Sequence, residues 1–336
     1  DNGVIEYADG SAVRLSSNDD EVATTGADVI NAGAGDNRIL AGLSDDEVTT
    51  LDGTDVVLGD NGELTYVDNS LTHAVSTETS LGGVDTIAVG EGDNTVIAGQ
   101  GADVVTTGSS SDTVMGDNGE ISYGLNGLNS VTIQSIATDQ GGDDSITALG
   151  GDNTVVGGFG NDTITTTSGN DVVLGDNGEL TYVNNSLAHA VSTSASLGGV
   201  DTIAVGDGAN MVIAGQGADV VTTGLGSDTV MGDNGEINYD AGVITDLQST
   251  ATNQGGDDNI TALGGDNTVV GGFGSDIITT ANGNDVVLGD SGELSYVDGD
   301  LAHAASTSAS LGGVDTIAVG DGANIVIAGQ GADVVT

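Results

Sequence analysis

Aspartate recurs in this chain at a spacing suited to holding cations. From Gly157 the sequence reads GGFGNDTIT and then TTSGNDVVL, two blocks of nine with Asp162 and Asp171 sixth and the apolar Ile164 and Val173 eighth. Carried along the chain, the sixth position gives Asp28, Asp46, Asp55, Asp85, Asp103, Asp112, Asp144, Asp162, Asp171, Asp201, Asp219, Asp228, Asp258, Asp276, Asp285, Asp315 and Asp333. Every complete unit of four nonads reads Asp, Asn, Asp, Asp there, as in Asp85, Asn94, Asp103 and Asp112. Further aspartates, Asp60, Asp117, Asp176, Asp233 and Asp290, follow the fourth nonad in GDNGEL, GDNGEI or GDSGEL. Carboxylates stacked about 4.8 Å apart repel one another unless a hard cation lies between them. Calcium suits the place, because it takes six to eight oxygens from carboxylates and carbonyls alike.

Other chemistry finds no support. HExxH and GxSxG are absent, and without lysine there is no P-loop. A lattice of equivalent aspartates is a metal lattice and not an acid/base pair, so the chain reads as a non-enzyme. Against 52 Asp plus Glu stand only Arg14 and Arg38, giving a formal charge of −50. That charge excludes nucleic acid and opposes any compact state unless cations neutralise it. Acidity with few aromatics often means disorder, yet 37% of the residues are hydrophobic and cluster at fixed spacing. The lack of cysteine suits an exported protein, and no apolar run reaches membrane-spanning length.

The elements that position the aspartates follow from the nonad. Its first six residues are glycine-rich and its last three favour strand, as in Thr163, Ile164 and Thr165. Such strands cannot form independent hairpins; stacked as half-coils they pair in parallel, two nonads to a coil. Eighth-position residues such as Ile87, Val96, Val105 and Val114 point inward as a thin core. First and third nonads then share one edge of the roll, with Asp in both, while the second and fourth place Asn beside Asp on the other. A fuller, tighter ion row is expected on the first edge, where the insert aspartates should also fall.

GGFGNDTIT, GGFGSDIIT, AGQGADVVT and TGLGSDTVM resemble the repeats-in-toxin (RTX) proteins. The resemblance recurs in register over nearly the whole chain and implies an all-β parallel β-roll, a β-solenoid of glycine-rich nonads. It further implies calcium held between turns two nonads apart by sixth-position carboxylates and backbone carbonyls, type I secretion, and folding outside the cell. The Asn of each second nonad, Ser44 and Ser110 in place of Gly, and the inserts depart from the pattern.

Twenty-three nonads and six inserts of 21 to 23 residues tile the chain, so it reads as one continuous solenoid over 1–336, a piece of a longer protein. Its units run about 1–58, 59–115, 116–174, 175–231, 232–288 and 289–336. Each insert holds two strand-like stretches, around Asn184 and Asn185 in one copy. The favoured reading is a wider third coil every ~57 residues, and the alternative is a protruding hairpin. With a third coil the rod has about 17 coils and a length of roughly 80 to 85 Å. The tyrosines (Tyr7, Tyr66, Tyr123, Tyr182, Tyr239 and Tyr296) share one insert position and read as a packing ladder; His73, His189 and His303 recur in alternate inserts.

Ninth-position residues of the second and fourth nonads are large and apolar: Ile97, Met115, Val156, Leu174, Ile213, Met231, Val270, Leu288 and Ile327. Strand alternation turns them away from the eighth-position core. They then form either an exposed stripe for lateral self-association or part of a roll wide enough to bury them. Internal duplication favours a calcium-stabilised shaft of an extracellular filament or giant adhesin, secreted or cell-surface attached, continuing end to end with like repeats. The alternative is the secretion-and-folding segment of an exoenzyme or toxin. An ice-binding solenoid ranks last, because Phe159, Gln216, Leu225 and Ser168 break any regular threonine array in the turns.

Overall fold

In a computed structural model the chain is described over residues 3–8, 11–17, 26–124, 129–307 and 311–336. Every regular element among these is a β-strand, and the strands form three sheets stacked as layers. Strands of the first and third nonads make a parallel outer roll sheet of twelve, from Val29–Gly33 to Val334–Val335. Those of the second and fourth make a parallel inner roll sheet of eleven, from Arg38–Leu40 to Ile325–Ile327. Register is strict: Val105 pairs with Ile87 on one side and Ile146 on the other, and Val114 with Val96 and Val155. A one-residue slip would turn each eighth-position residue to the wrong face.

The inserts are not a third coil. Each is a β-hairpin, and the six hairpins pair edge to edge into one twelve-stranded antiparallel sheet over the inner roll sheet. In Gly178–Val183 and Ser186–Ser192, Leu180 faces Ala190 and the turn falls at Asn184 and Asn185, both at positive φ (53° and 62°). Two such residues make the tight turn whose twist matches the flanking strands, as Asp68 with Asn69 and Asp298 with Gly299 do in other copies. Geometry explains the four-nonad period. Four nonads make two coils, and two coils rise as far as the two strands of one hairpin, about 10 Å. Hairpins inserted at this interval stack without accumulating offset.

The coil count changes accordingly. Twelve outer strands at about 4.8 Å give roughly 53 Å, shorter than a three-coil unit predicts. Fifty formal negative charges on that length exceed the linear density of duplex DNA, about one per 1.7 Å.

Two cores run the length of the rod. Eighth-position residues meet between the two roll sheets, with Val48, Val96, Val105, Val155, Ile164 and Val212 fully buried or nearly so. The second core corrects the expectation of an exposed stripe. Ile97, Met115, Val156, Leu174, Ile213, Met231, Val270 and Leu288 face away from the first core, as strand alternation requires, but the hairpin sheet covers them, leaving each at most 1% exposed. Ile327 packs there too, partly buried. Opposite them lie Leu64, Ile121, Ile133, Leu180, Ile237, Leu247 and Leu294. At full burial each such side chain contributes about 1.5–3 kcal/mol. The glycine of GDNGEL makes the close approach possible: a Cβ on Gly178 would stand 2.2 Å from a methyl of Leu174, and one on Gly119 2.2 Å from the sulfur of Met115.

The tyrosines do form a packing ladder. Tyr182 and Tyr296 reach the inner sheet, where their hydroxyls share hydrogen bonds with Thr154 (2.7 Å) and Thr268 (3.1 Å). Tyr66 lies under the Arg38 guanidinium, 4.2 Å from the ring centre. Only Tyr7, at one end, is largely exposed.

Candidate metal centre

Two rows of sixth-position residues line the long edges of the roll, one to each edge. On the edge where the chain passes from the inner to the outer roll sheet, each residue's backbone N–H donates to Oδ1 of the next. Asp28, Asp46, Asp85, Asp103, Asp144, Asp162, Asp201, Asp219, Asp258, Asp276, Asp315 and Asp333 are joined in that order at 2.7–3.1 Å. Neighbours in this aspartate edge are eighteen residues apart in sequence, or 39 to 41 where a hairpin intervenes. The opposite edge runs Asn37, Asp55, Asn94, Asp112, Asn153, Asp171, Asn210, Asp228, Asn267, Asp285 and Asn324, bonded in the same way at 2.8–3.0 Å. The division between an all-Asp edge and a mixed edge is the one the nonad order predicts.

Glycine shapes the turns. Gly99 and Gly101 adopt φ of 117° and 145°, values that suit glycine alone. Ser44 takes φ of 92° where the repeat would have Gly, whereas Ser110 accepts a hydrogen bond from the Gly92 N–H (3.1 Å).

On the aspartate edge the second carboxylate oxygen is an orphan. Oδ2 of Asp46, Asp85, Asp103, Asp144, Asp162, Asp201, Asp219, Asp258, Asp276 and Asp315 is buried without a hydrogen-bond partner. Ten buried, unpartnered anionic oxygens in line are untenable in a metal-free protein, since each uncompensated buried charge costs several kcal/mol. Glycine leaves space beside them. A Cβ on Gly59 would lie 2.2 Å from Asp85 Oδ2 and 2.4 Å from the Ala98 carbonyl oxygen. The same pairing recurs at Gly175 with Asp201 and Ala214, at Gly232 with Asp258 and Gly271, and at Gly289 with Asp315 and Ala328. These are carboxylate and carbonyl oxygens around a space kept free of side chains, the donor set of a hard cation that binds oxygen at 2.3–2.6 Å.

The insert aspartates fall on this edge too. Asp60 accepts the backbone N–H groups of Gly83 and Gln100, bridging two successive turns. Asp117 does so with Gly142 and Phe159, Asp176 with Gly199 and Gln216, Asp233 with Gly256 and Phe273, and Asp290 with Gly313 and Gln330. Both their oxygens are thus occupied by amides, so they anchor turns and add negative charge beside the orphan row. Among the described residues no three acidic, histidine or cysteine side chains form a compact metal-binding group. An ion here takes carboxylates from successive coils and completes its shell with turn carbonyls.

Electrostatics separates the edges further. Burial, countered only partly by the amide hydrogen bonds, pushes Asp85 up to about 8 and Asp103, Asp162, Asp219 and Asp276 to about 7. Burial and then the charges of Asp85 and Asp103 carry Asp60 to about 9. Asp144, Asp201 and Asp258 are raised further by burial and by the adjacent Asp117, Asp176 and Asp233. A divalent cation reverses this by supplying the missing positive charge.

A family model for the RTX calcium-binding nonapeptide repeat (4 copies) matches residues 22–57, 80–120, 138–173, 197–235, 253–292 and 311–336, about two thirds of the chain. The chain belongs to this family. The gaps between the RTX matches fall on the hairpins. Comparison with curated proteins gave no match. RTX nonads bind calcium, and the orphan oxygens and glycine-cleared spaces of the aspartate edge fit that ion.

Sequence reasoning missed the closure of the mixed edge. There the Asn94 amide donates to the carbonyls of Gly90 (3.0 Å) and Gly92 (2.7 Å), and the Thr223 hydroxyl donates to Asp228 Oδ2 at 2.6 Å. Also unforeseen were the glutamates beside histidine on the outer face of the hairpin sheet: His73 with Glu120 at 3.0 Å, His189 with Glu236 at 3.1 Å and His303 with Glu293 at 3.3 Å. One glutamate per histidine makes a polar pair and no metal site. Among the described residues no helix is long and apolar enough to cross a membrane.

Proposed function

We propose that this chain is a calcium-stabilised structural shaft of an extracellular bacterial filament or giant adhesin, folded by calcium after secretion. The observation that carries the reading is the commensurate unit. Two coils and one hairpin recur at one register along the described rod, with both cores continuous across every junction. Such a unit adds length without changing cross-section, so copy number sets reach, as in other solenoids. Calcium supplies the positive charge that lets consecutive carboxylates share an edge. The residues themselves set the register, exclude water from both cores and hold the carboxylates in line.

Antibodies raised against this segment test the role. Immunogold electron microscopy of intact producing cells is expected to show label along surface fibres. Label confined to a soluble exoenzyme in the medium would overturn the shaft and favour a secretion-and-folding segment.

A further inference from the structure

We infer that calcium occupies only the aspartate edge of this rod, because on the mixed edge the asparagine amides take up the turn carbonyls that an ion would need. The inference rests on the calcium reading above and goes beyond it, since every coil has a turn at each edge.

The argument is a comparison of what fills equivalent turns. In the second nonad of each unit, Asn replaces Asp and its Nδ2 points into the turn. Asn37 donates to the Gly33 and Gly35 carbonyls at 3.2 and 2.7 Å, Asn153 to Gly150 and Gly151 at 3.2 and 3.1 Å, and Asn210 to Gly206 and Gly208 at 3.0 and 3.3 Å. Asn267 and Asn324 donate likewise to Gly265 and Gly320. Turn carbonyls that would complete a calcium shell are thus held by a neutral N–H donor in the same side chain that gave up its charge. Asn153, Asn210 and Asn267 also donate to Oδ1 of Asp171, Asp228 and Asp285, at 3.1, 2.9 and 3.1 Å, so the amide partly compensates the next carboxylate.

The fourth nonad keeps its Asp but begins with a buried threonine. Thr223 donates to Asp228 Oδ2 at 2.6 Å and Thr280 to Asp285 Oδ2 at 2.7 Å. Thr50, Thr107 and Thr166 are buried at the same position, but there the threonine hydroxyl and the Oδ2 of Asp55, Asp112 and Asp171 have no hydrogen-bond partner. The second nonad begins with a buried apolar residue, Val89, Ala148, Val205 or Ala262. On the aspartate edge the third nonad begins instead with Ala98, Gly157, Ala214 or Gly271, none of which can donate from its side chain. Every interior carboxylate from Asp46 to Asp315 on that edge keeps an unpartnered buried oxygen. Each step of the aspartate edge therefore offers an ion two unpartnered carboxylate oxygens, whereas a step of the mixed edge offers at most one, from Asp55, Asp112 or Asp171, beside an asparagine whose amide already holds the turn carbonyls.

Crystals of the segment grown in calcium, with anomalous difference maps and equilibrium dialysis for stoichiometry, test this. The expected result is a row of peaks beside the Asp85 to Asp315 series and none in the turns of Asp112, Asp171, Asp228 and Asp285, with about half the calcium of a roll loaded on both edges. Peaks along both edges would overturn the one-sided row while leaving calcium binding intact. Peaks on neither edge, with no calcium retained in dialysis, would overturn both.

Discussion

Freed of metal, the chain is expected to be folded in mild acid and to unfold as the pH rises through neutrality, the reverse of ordinary acid denaturation. The buried carboxyls of Asp85, Asp103, Asp162, Asp219 and Asp276 titrate at about 7 to 8 in the folded rod and Asp60 at about 9, each raised first by burial from the ordinary aspartate value of 3.8. Between the unfolded and folded values the native state holds protons that the unfolded state has lost. Stability then falls with rising pH, by about 1.4 kcal/mol per pH unit for each such proton. With several groups acting together, two pH units suffice to exceed the stability of an ordinary domain, about 5–15 kcal/mol. Below about pH 4 both states are protonated and the dependence levels off. In excess calcium the trend inverts, because the ion displaces the same protons and binds better as they leave. Thermal melts of exhaustively dialysed protein from pH 4 to 8, with and without calcium, read this directly. Metal-free stability that climbs with pH over this range would contradict the placement of these carboxyls.

A second large effect is a change of sign. Asp258→Asn is expected to stabilise the metal-free rod at pH 6, where it is still folded, and to destabilise the calcium-loaded one. Asp258 Oδ1 accepts the Asp219 N–H at 2.8 Å, a role the amide oxygen of asparagine keeps, while Oδ2 is buried, unpartnered and crowded by Asp233 and Asp276. Putting an amide there reproduces the arrangement of Asn210, whose Nδ2 donates to turn carbonyls. Not having to protonate this carboxyl on folding is worth about 3 kcal/mol at pH 6, at about 1.4 kcal/mol per pH unit above the ordinary carboxylate value. Losing one ion at a hundredfold excess over its dissociation constant forfeits about 2.7 kcal/mol. Urea melts of both proteins in both conditions give the four numbers, and an effect of one sign in both conditions would show that Asp258 is structural and not a ligand.

Much of this arrangement was legible in the sequence because the nonad spaces its special residues so strictly. A sixth-position Asp and an eighth-position Val or Ile can satisfy both a charged turn and a core only if successive nonads alternate between two sheets, and this alone separates the Asp103 edge from the Asp112 edge. The insert was not legible in the same way. Its polar composition suits a wide coil as well as a hairpin, and the choice is made by the φ of Asn184 and Asn185 together with the match between two strands and two coils. The apolar stripe failed for a related reason. Strand alternation tells which face Leu174 takes, but not whether another layer covers that face, and the covering residues Leu180 and Ile133 lie in hairpins with only short apolar runs. The roles of Asn94 and Thr223 depend on where a side chain points within a turn, which spacing does not record.

The most direct test of calcium as the element that completes this fold is circular dichroism at pH 7.5 during a calcium titration, with magnesium at matched ionic strength as control. A cooperative gain of β signal with calcium, and none with magnesium, is the predicted result. Magnesium screens charge equally well but holds its waters and demands octahedral geometry. A chain already fully folded in chelator at that pH would contradict the account, because ten buried orphan carboxylate oxygens would then be tolerated without the ion.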